Sequence, residues 1–368
     1  MAPFLGLILK EGKEVKFDGS EDGMDDFILS KEPISEPIAY AYSQFDTNIT
    51  DPMLESESFQ DWMIAATMWG TTLWFPVPLE VIFPKGINGL IVAGRHLGVD
   101  HDTGQALRMN AAMSNTGEAV GIIAAAAVRR NIMPHSLPYR QIRELLRLPD
   151  SPLAENETIW GLDDDAIIRE LATNTPGKAI WSAFRRNRRD LLHNIIGSTA
   201  PATPLYCHAA FALALLRDPV VIPILRRIVE ERDNTLQCSL AFDFGINAPA
   251  ISVCHGCIAI YLLGRFRDCE AIGLLDVVLS DSGPVDRPQY LTYAIVALLK
   301  IGDDHPGQRK KIAEILFQKI VTNNNLSIPL RFIKYAPGEY ESVPHCKNLI
   351  DEKFVKWNIN FSCRKAPV

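Results

Sequence analysis

One stretch, residues 86–130 (GINGLIVAGRHLGVDHDTGQALRMNAAMSNTGEAVGIIAAAAVRR), limits the fold of this chain more than any other. Leu90 to Ala93 is a short apolar run ending in Gly94, the pattern of a buried strand entering a turn. A polar loop follows from Arg95 to Gln105. From about Ala111 to Arg130 the chain is apolar and alanine-rich, which predicts a buried helix. Gly117 and Gly121 lie on one side of it. Each costs the helix roughly 1 kcal/mol against alanine, so their presence predicts close approach to another backbone. The helix begins just after Arg108, Met109 and Asn110. Its free N-terminal N–H groups, with an arginine beside them, predict a place for a negative or electron-rich group.

PLEVIFPKGINGLIVAGR, followed by His101, Arg108 and TGEAVGIIAAAA, resembles the C-terminal flavin segment of FAD-dependent oxidoreductases of the glutathione-reductase-like class. Pro84, Lys85, Gly86, Asn88, Gly94, Arg95, His101, Gly104, Arg108, Met109, Gly117, Ala119 and Gly121 stand at matching positions, over roughly residues 74–130. The resemblance implies that Gly94 lets the backbone approach the ribityl–phosphate part of FAD, with Arg95 following in the turn. It implies that Asn110, Ala111 and Ala112 present helix N-terminal amides to the pyrimidine edge of the isoalloxazine, where donors stabilise negative charge. It casts Arg108 as a fixed charge near flavin or substrate, and His101 as a proton-moving group on the substrate side. In the bland reading His101 is a water-facing loop residue and Arg108 pairs with Asp100 or Asp102. Gly98 stands where the family often has Ser. Ala111 and Ala112 stand where it often has Pro or a thiol-bearing residue.

Enzymes of that class hold the ADP half of FAD with an N-terminal strand–G-x-G-x-x-G–helix unit. No G-x-G-x-x-G occurs in this chain. The expectation is therefore one wall of a flavin site, from a fragment, a misplaced start or a protein that has lost half its cofactor site.

Length allows two domains. The acidic balance, net −7, argues against general nucleic-acid binding. The arginine cluster Arg185, Arg186, Arg188 and Arg189 reads as a solvated helix face. An odd number of cysteines, seven, without framework spacing fits reduced thiols in the cytoplasm. Ala119 to Val128 is about half the ~20 apolar residues of a membrane span, so no membrane segment is expected.

Before the flavin-like stretch, Phe4–Leu9 and Glu14–Phe17 read as strands and Asp18–Asp26 as a turn. Ile38–Tyr42 and Met63–Trp74 suit a sheet or lid. Trp62, Trp69 and Trp74 read as core aromatics rather than a substrate platform. Prolines at 134, 138, 149 and 152 mark residues 131–162 as a linker, with one helix at Tyr139–Leu146. From about residue 163 the pattern becomes paired helices: Tyr206–Leu216 with Val220–Glu231, Ser252–Phe266 with Cys269–Leu279, Tyr290–Ile301 with Gln308–Val321. Turns at Asp218, Asp268 and Asp303 join them, each Asp predicted to cap the second helix. Asp163–Arg189 reads as a degenerate capping unit, and residues 233–250 as an insertion. Such pairs resemble HEAT-like repeats of an α-solenoid. Residues 331–368 read as an irregular cover.

Cys254-His255-Gly256-Cys257 is not a haem attachment site, because Ile258 rather than His follows. No second ligand pair is evident for zinc. Cys207 and Cys257 each precede a turn Asp by the same interval, which favours core packing.

The chain therefore reads as an α/β piece of an FAD-binding fold (residues 1–130), followed by an all-α HEAT-like domain (163–330). The implied reaction is hydride or electron transfer between a small organic substrate and FAD, with no metal. The alternative is a flavin-free interaction protein whose helices bind a protein partner.

Overall fold

The structure, a computed structural model, describes residues 36–44, 57–68, 71–84, 86–99, 101–150, 152–156, 159, 161–239, 252–281, 287–322 and 345–359. The strands and turn expected before residue 27, and Trp69, lie outside the described residues.

Strand β1 (Pro37–Ser43) pairs antiparallel with β2 (Leu73–Pro78), Ala41 standing opposite Phe75. Pro76 and Pro78 donate no ladder bond, which β2 tolerates because β1 is its only strand partner among the described residues. On its other side the Asn156 side chain imitates a strand. Its Oδ1 accepts from the Trp74 N–H at 2.9 Å and its Nδ2 donates to the Trp74 carbonyl at 3.0 Å. Between the strands, α1 (Glu57–Gln60) runs into a π-helical turn, Asp61–Ala65.

The parallel sheet of an α/β fold is not found among the described residues; both sheets are two-stranded and antiparallel. Leu90–Ala93 is not a strand. Val92 N–H reaches the Ile82 carbonyl at 2.9 Å, but a strand needs a partner along its length, and Leu90 is half exposed. The expected loop 95–105 closes into a short helix, α2 (His101–Leu107), because Ala106 and Leu107 bury completely.

Helix α3 (Asn110–Arg130) buries Ala112, Thr116, Ala119, Val120, Ile123, Ala126 and Ala127, and packs on β1. These positions follow the three- and four-residue spacing of one helix face. It ends where Asn131 turns left-handed and Ile132 N–H returns to the Ala127 carbonyl. The close approach expected at Gly117 and Gly121 is absent: no atom lies within 4 Å of a Cβ built at either. Among the described residues α3 alone is long and apolar enough, by length and composition, to cross a membrane. Helix α4 (Tyr139–Leu146) packs on α3 and β1, and its Tyr139 hydroxyl donates to the Pro37 carbonyl at 2.8 Å.

Further helices follow along the chain. They are α5 (Asp164–Leu171), α6 (Gly177–Arg185), α7 (Arg189–Ser198), α8 (Pro204–Leu215), α9 (Ile222–Glu230), α10 (His255–Arg265), α11 (Ile272–Ser280), α12 (Arg287–Asp304) and α13 (Arg309–Leu316). The inner row runs α6, α8, α10, α12, each packed on the next. Helices α8 and α10 are buried on every side, as their uniformly apolar sequences require. A short hairpin, β3 (Leu236–Cys238) with β4 (Ser252–Cys254), lies between α9 and α10.

The turns repeat in detail. Arg217, Arg232 and Arg267 each adopt a positive φ after a helix. The following Asp N–H bonds back to the carbonyls of Leu213, Ile228 and Leu263. Asp218 and Asp268 then cap the next turn through Val220 and Glu270 N–H. Each also ties its turn to the preceding helix pair. Arg189 and His193 of α7 reach Asp218, and Arg226 of α9 holds Asp268 through two bonds of 2.7 and 2.6 Å. Asp303 departs from this scheme. It lies inside α12, where its carboxylate accepts from Lys353 and Trp357 instead of capping α13. Those partners belong to α14 (His345–Lys356) and the turn after it, so the C-terminal segment is partly a helix packed on α12 rather than an irregular cover.

The π-helical turn 61–65 packs on α8 and α10. A buried ionic network fixes it there. Arg265 donates to both Asp61 oxygens, at 3.0 and 2.7 Å, and also reaches Glu57. Arg267 reaches Glu57 at 2.8 Å. Buried Lys300 donates to Gln60 at 2.6 Å and lies 3.1 Å from Glu57. Burial alone would raise Glu57, but the charges of Lys300, Arg265 and Arg267 hold it down, to about 2. Its folded pKa is depressed, so its contribution is present above the ordinary value of 4.5 and is lost as pH falls from there towards about 2. Glu57→Gln is expected to lower stability at neutral pH and to flatten this acid limb. Urea unfolding at several pH values checks it, and a variant curve parallel to the wild type's would contradict it.

Candidate functional site

The first turn of α3 forms one wall of a cavity of about 350 Å³, lined by Tyr42, Ser43, Arg95, Arg108, Met109, Asn110 and Ala111. Local sequence explains the wall. Met109 is extended, so α3 starts abruptly at Asn110 with no side-chain cap on its N–H groups. The first intrahelical bond of this turn is Met113 N–H to the Met109 carbonyl, at 2.9 Å. The amides of Asn110, Ala111 and Ala112 lie ahead of it. Asn110 and Ala111 are exposed. Arg95 donates from Nε to the Arg108 carbonyl at 3.1 Å, which fixes the loop against the helix entry. Two arginines and a helix N-terminus thus face one small cavity, a field that favours an anionic or electron-rich group.

Four of the residues singled out in the sequence therefore meet here: Arg95, Arg108, Asn110 and Ala111. The other three do not line the cavity. Gly94 sits beside Arg95 with φ +80°, a conformation that favours glycine, and no atom lies within 4 Å of a Cβ built on it. Ala112 turns into the core and is 4% exposed. His101 opens α2, and its side chain lies outside the described residues. Sequence reasoning missed Tyr42 and Ser43, which β1 brings from upstream. Tyr42 is half exposed and its ring lies tilted against that of Trp74, with centroids 4.7 Å apart. The one local signal for it was the alternation of PIAYAYS, which places Tyr42 on the outward face.

Residues 17–146 match the family model described as FAD dependent oxidoreductase, about a third of the chain. The match contains the cavity and all seven of those residues. This segment is therefore similar to that family, whose members use FAD as cofactor. No curated protein and no solved structure matches the chain.

The residues present fit one end of that cofactor. The uncapped turn of α3, the two arginines and the open space at Gly94 suit an anionic edge approached by backbone. The volume lies at the small end of ligand pockets, about 300–1,000 Å³, which takes a ring system rather than a whole dinucleotide.

Proposed function

We propose that the cavity at the head of α3 is the flavin-facing wall of an oxidoreductase that moves a hydride or electrons between a small organic substrate and FAD. The convergence of Arg95, Arg108 and the α3 N-terminus on one cavity supports this reading. Bound FAD supplies a two-electron acceptor. The chain's own residues supply the rest. The amides of Asn110, Ala111 and Ala112 and the Arg108 guanidinium favour negative charge on a group seated against them. Gly94 leaves room for a ligand beside the backbone, and Arg95 holds the loop in place. His101, about two turns before Arg108 on the same short segment, is the residue assigned to proton movement.

A flavin titration tests it. Purified protein is mixed with FAD and followed by flavin fluorescence, with denaturation afterwards to release and count bound FAD. Saturable binding is expected. Arg108→Ala is expected to weaken it about tenfold to a hundredfold, the range of one lost charge-assisted hydrogen bond. Helix content should be retained. No uptake by the wild-type chain would overturn the reading. It would favour the alternative of a flavin-free interaction protein whose HEAT-like helical rows bind a protein partner, a reading that the missing G-x-G-x-x-G supports.

A further inference from the structure

Outside the cavity lining, three donor side chains of different chemistry converge. Sγ of Cys207, a carboxylate oxygen of Asp233 and a ring nitrogen of His255 lie within 4.8 Å of one another. Cys207 comes from α8, Asp233 from the turn after α9, and His255 from the first residue of α10. Cys207 and His255 are fully buried, and the Asp233 side chain is 14% exposed. The backbone holds the three in register. Gly256 N–H bonds to the Asp233 carbonyl at 2.8 Å and His255 N–H to that of Thr235 at 2.9 Å, so the end of α9 is laced to the start of α10.

The hydrogen-bond pattern says what the cluster needs. Nδ1 of His208 faces the Leu171 carbonyl at 2.7 Å, and a carbonyl has no proton to give, so Nδ1 is the donor. Nε2 of His208 faces Nε2 of His255 at 3.0 Å, so the His208 ring bridges the Leu171 carbonyl and His255. Nδ1 of His255 lies 3.0 Å from Oδ2 of Asp233. The Asp233 carboxylate also takes the Thr235 N–H at 2.9 Å. A ring nitrogen and a carboxylate oxygen thus face one another, with a thiol beside them. A cation at Nδ1 would be shared by all three donors at once.

We propose that this cation is a divalent metal ion of the zinc type, held by Sγ of Cys207, the carboxylate of Asp233 and Nδ1 of His255. Mixed sulfur, nitrogen and oxygen donors suit zinc or cobalt, and three protein ligands leave a fourth position for water. His208 and the Leu171 carbonyl then serve as the outer partners that fix the ring and tautomer of a ligating histidine. Tetrahedral donors at zinc-type bond lengths stand about 3.3–3.8 Å apart. His255 and Asp233 need part by only a few tenths of an ångström. On binding, the Cys207 S–H bond breaks, a sulfur–metal bond forms and the proton passes to solvent, with no change of oxidation state. The nearby Cys254 and Cys257 are not ligands in this assignment; they hydrogen-bond to each other beside Tyr290.

The test uses the whole chain, stripped with a chelator and titrated with Co²⁺. One equivalent is expected to produce tetrahedral visible bands and a thiolate-to-cobalt charge-transfer band, with release of one proton. Zn²⁺ should displace the cobalt, abolish both bands and raise the melting temperature. Cys207→Ser should lose the charge-transfer band, and His255→Ala should lose tight binding. Cys269→Ser should keep both, and circular dichroism reports whether each variant folds. If the Cys207 and His255 variants fail to fold, the wild-type stoichiometry, charge-transfer band and proton count decide alone. No uptake by the wild type, or uptake without the thiolate band, overturns the proposal. So does a charge-transfer band that survives in Cys207→Ser but disappears in Cys254→Ser. An imidazolium at His255 seen by NMR in protein that takes up no cobalt would identify the cation as a proton.

Discussion

Arg265→Ala is expected to cost about 3–5 kcal/mol of stability, the range for breaking a buried ion pair by removing one partner. Both Arg265 and Asp61 have side chains only 10% exposed, and Asp61 takes two guanidinium bonds. The variant leaves Asp61 facing the Tyr261 hydroxyl with its cation gone. Lys300 and Arg267 do not replace it, because their contacts go to Glu57 and Gln60. The cost therefore comes from the abandoned carboxylate more than from the lost bond. A double-mutant cycle isolates it: adding Asp61→Ala to Arg265→Ala should cost much less than Asp61→Ala does alone. Urea midpoints of the four proteins give the coupling. A loss below about 1 kcal/mol for Arg265→Ala, the level of an exposed pair, would sink the argument.

Trp62→Ala is expected to cost about as much, 3–5 kcal/mol by loss of a fully buried large aromatic. Trp62 is 1% exposed and meets Trp181 of α6 edge-on, with ring centroids 4.9 Å apart. The residue thus joins the π-helical turn to the inner helical row, and its removal opens a void between them. Trp74→Ala is the contrast. That ring is only part-buried, and its indole N–H donates to Glu155 at an exposed position. Its loss should be much smaller. Thermal melts and near-ultraviolet circular dichroism separate the two, and equal losses would show that Trp62 does not hold the two parts together.

The helices after residue 163 were legible because their signals are local. Uniformly apolar runs such as CHAAFALALL announce a helix buried on all sides, and Arg-Asp pairs mark where each one turns. Arg232-Asp233 is a third such turn that the spacing argument passed over as an insertion. Asp303 misled because what its carboxylate does depends on Lys353 and Trp357, some fifty residues downstream. Leu90–Ala93 misled for a related reason: an apolar run becomes a strand only where a partner meets it. At the candidate site, the four residues of the loop and helix entry came from one contiguous stretch. Tyr42 and Ser43 arrive by strand pairing and had no comparable signal. The Cys207, Asp233 and His255 cluster was hidden because each residue belongs to a different element. Only the helix-by-helix stacking brings them within reach, and the neighbouring cysteines of the same motif drew attention instead.

The ionic seat of the π-helical turn also sets an order of events during synthesis. Glu57, Asp61 and Trp62 leave the ribosome long before Trp181, Arg265 and Lys300. At about 5–20 residues per second, the wait for Arg265 is on the order of ten to forty seconds. Through that interval the nascent upstream segment carries two carboxylates without their cations, and until Trp181 emerges an indole without its cover. A chain ending at residue 146, where the family match stops, would never lose that exposure. The downstream helices thus complete the burial of the segment that precedes them.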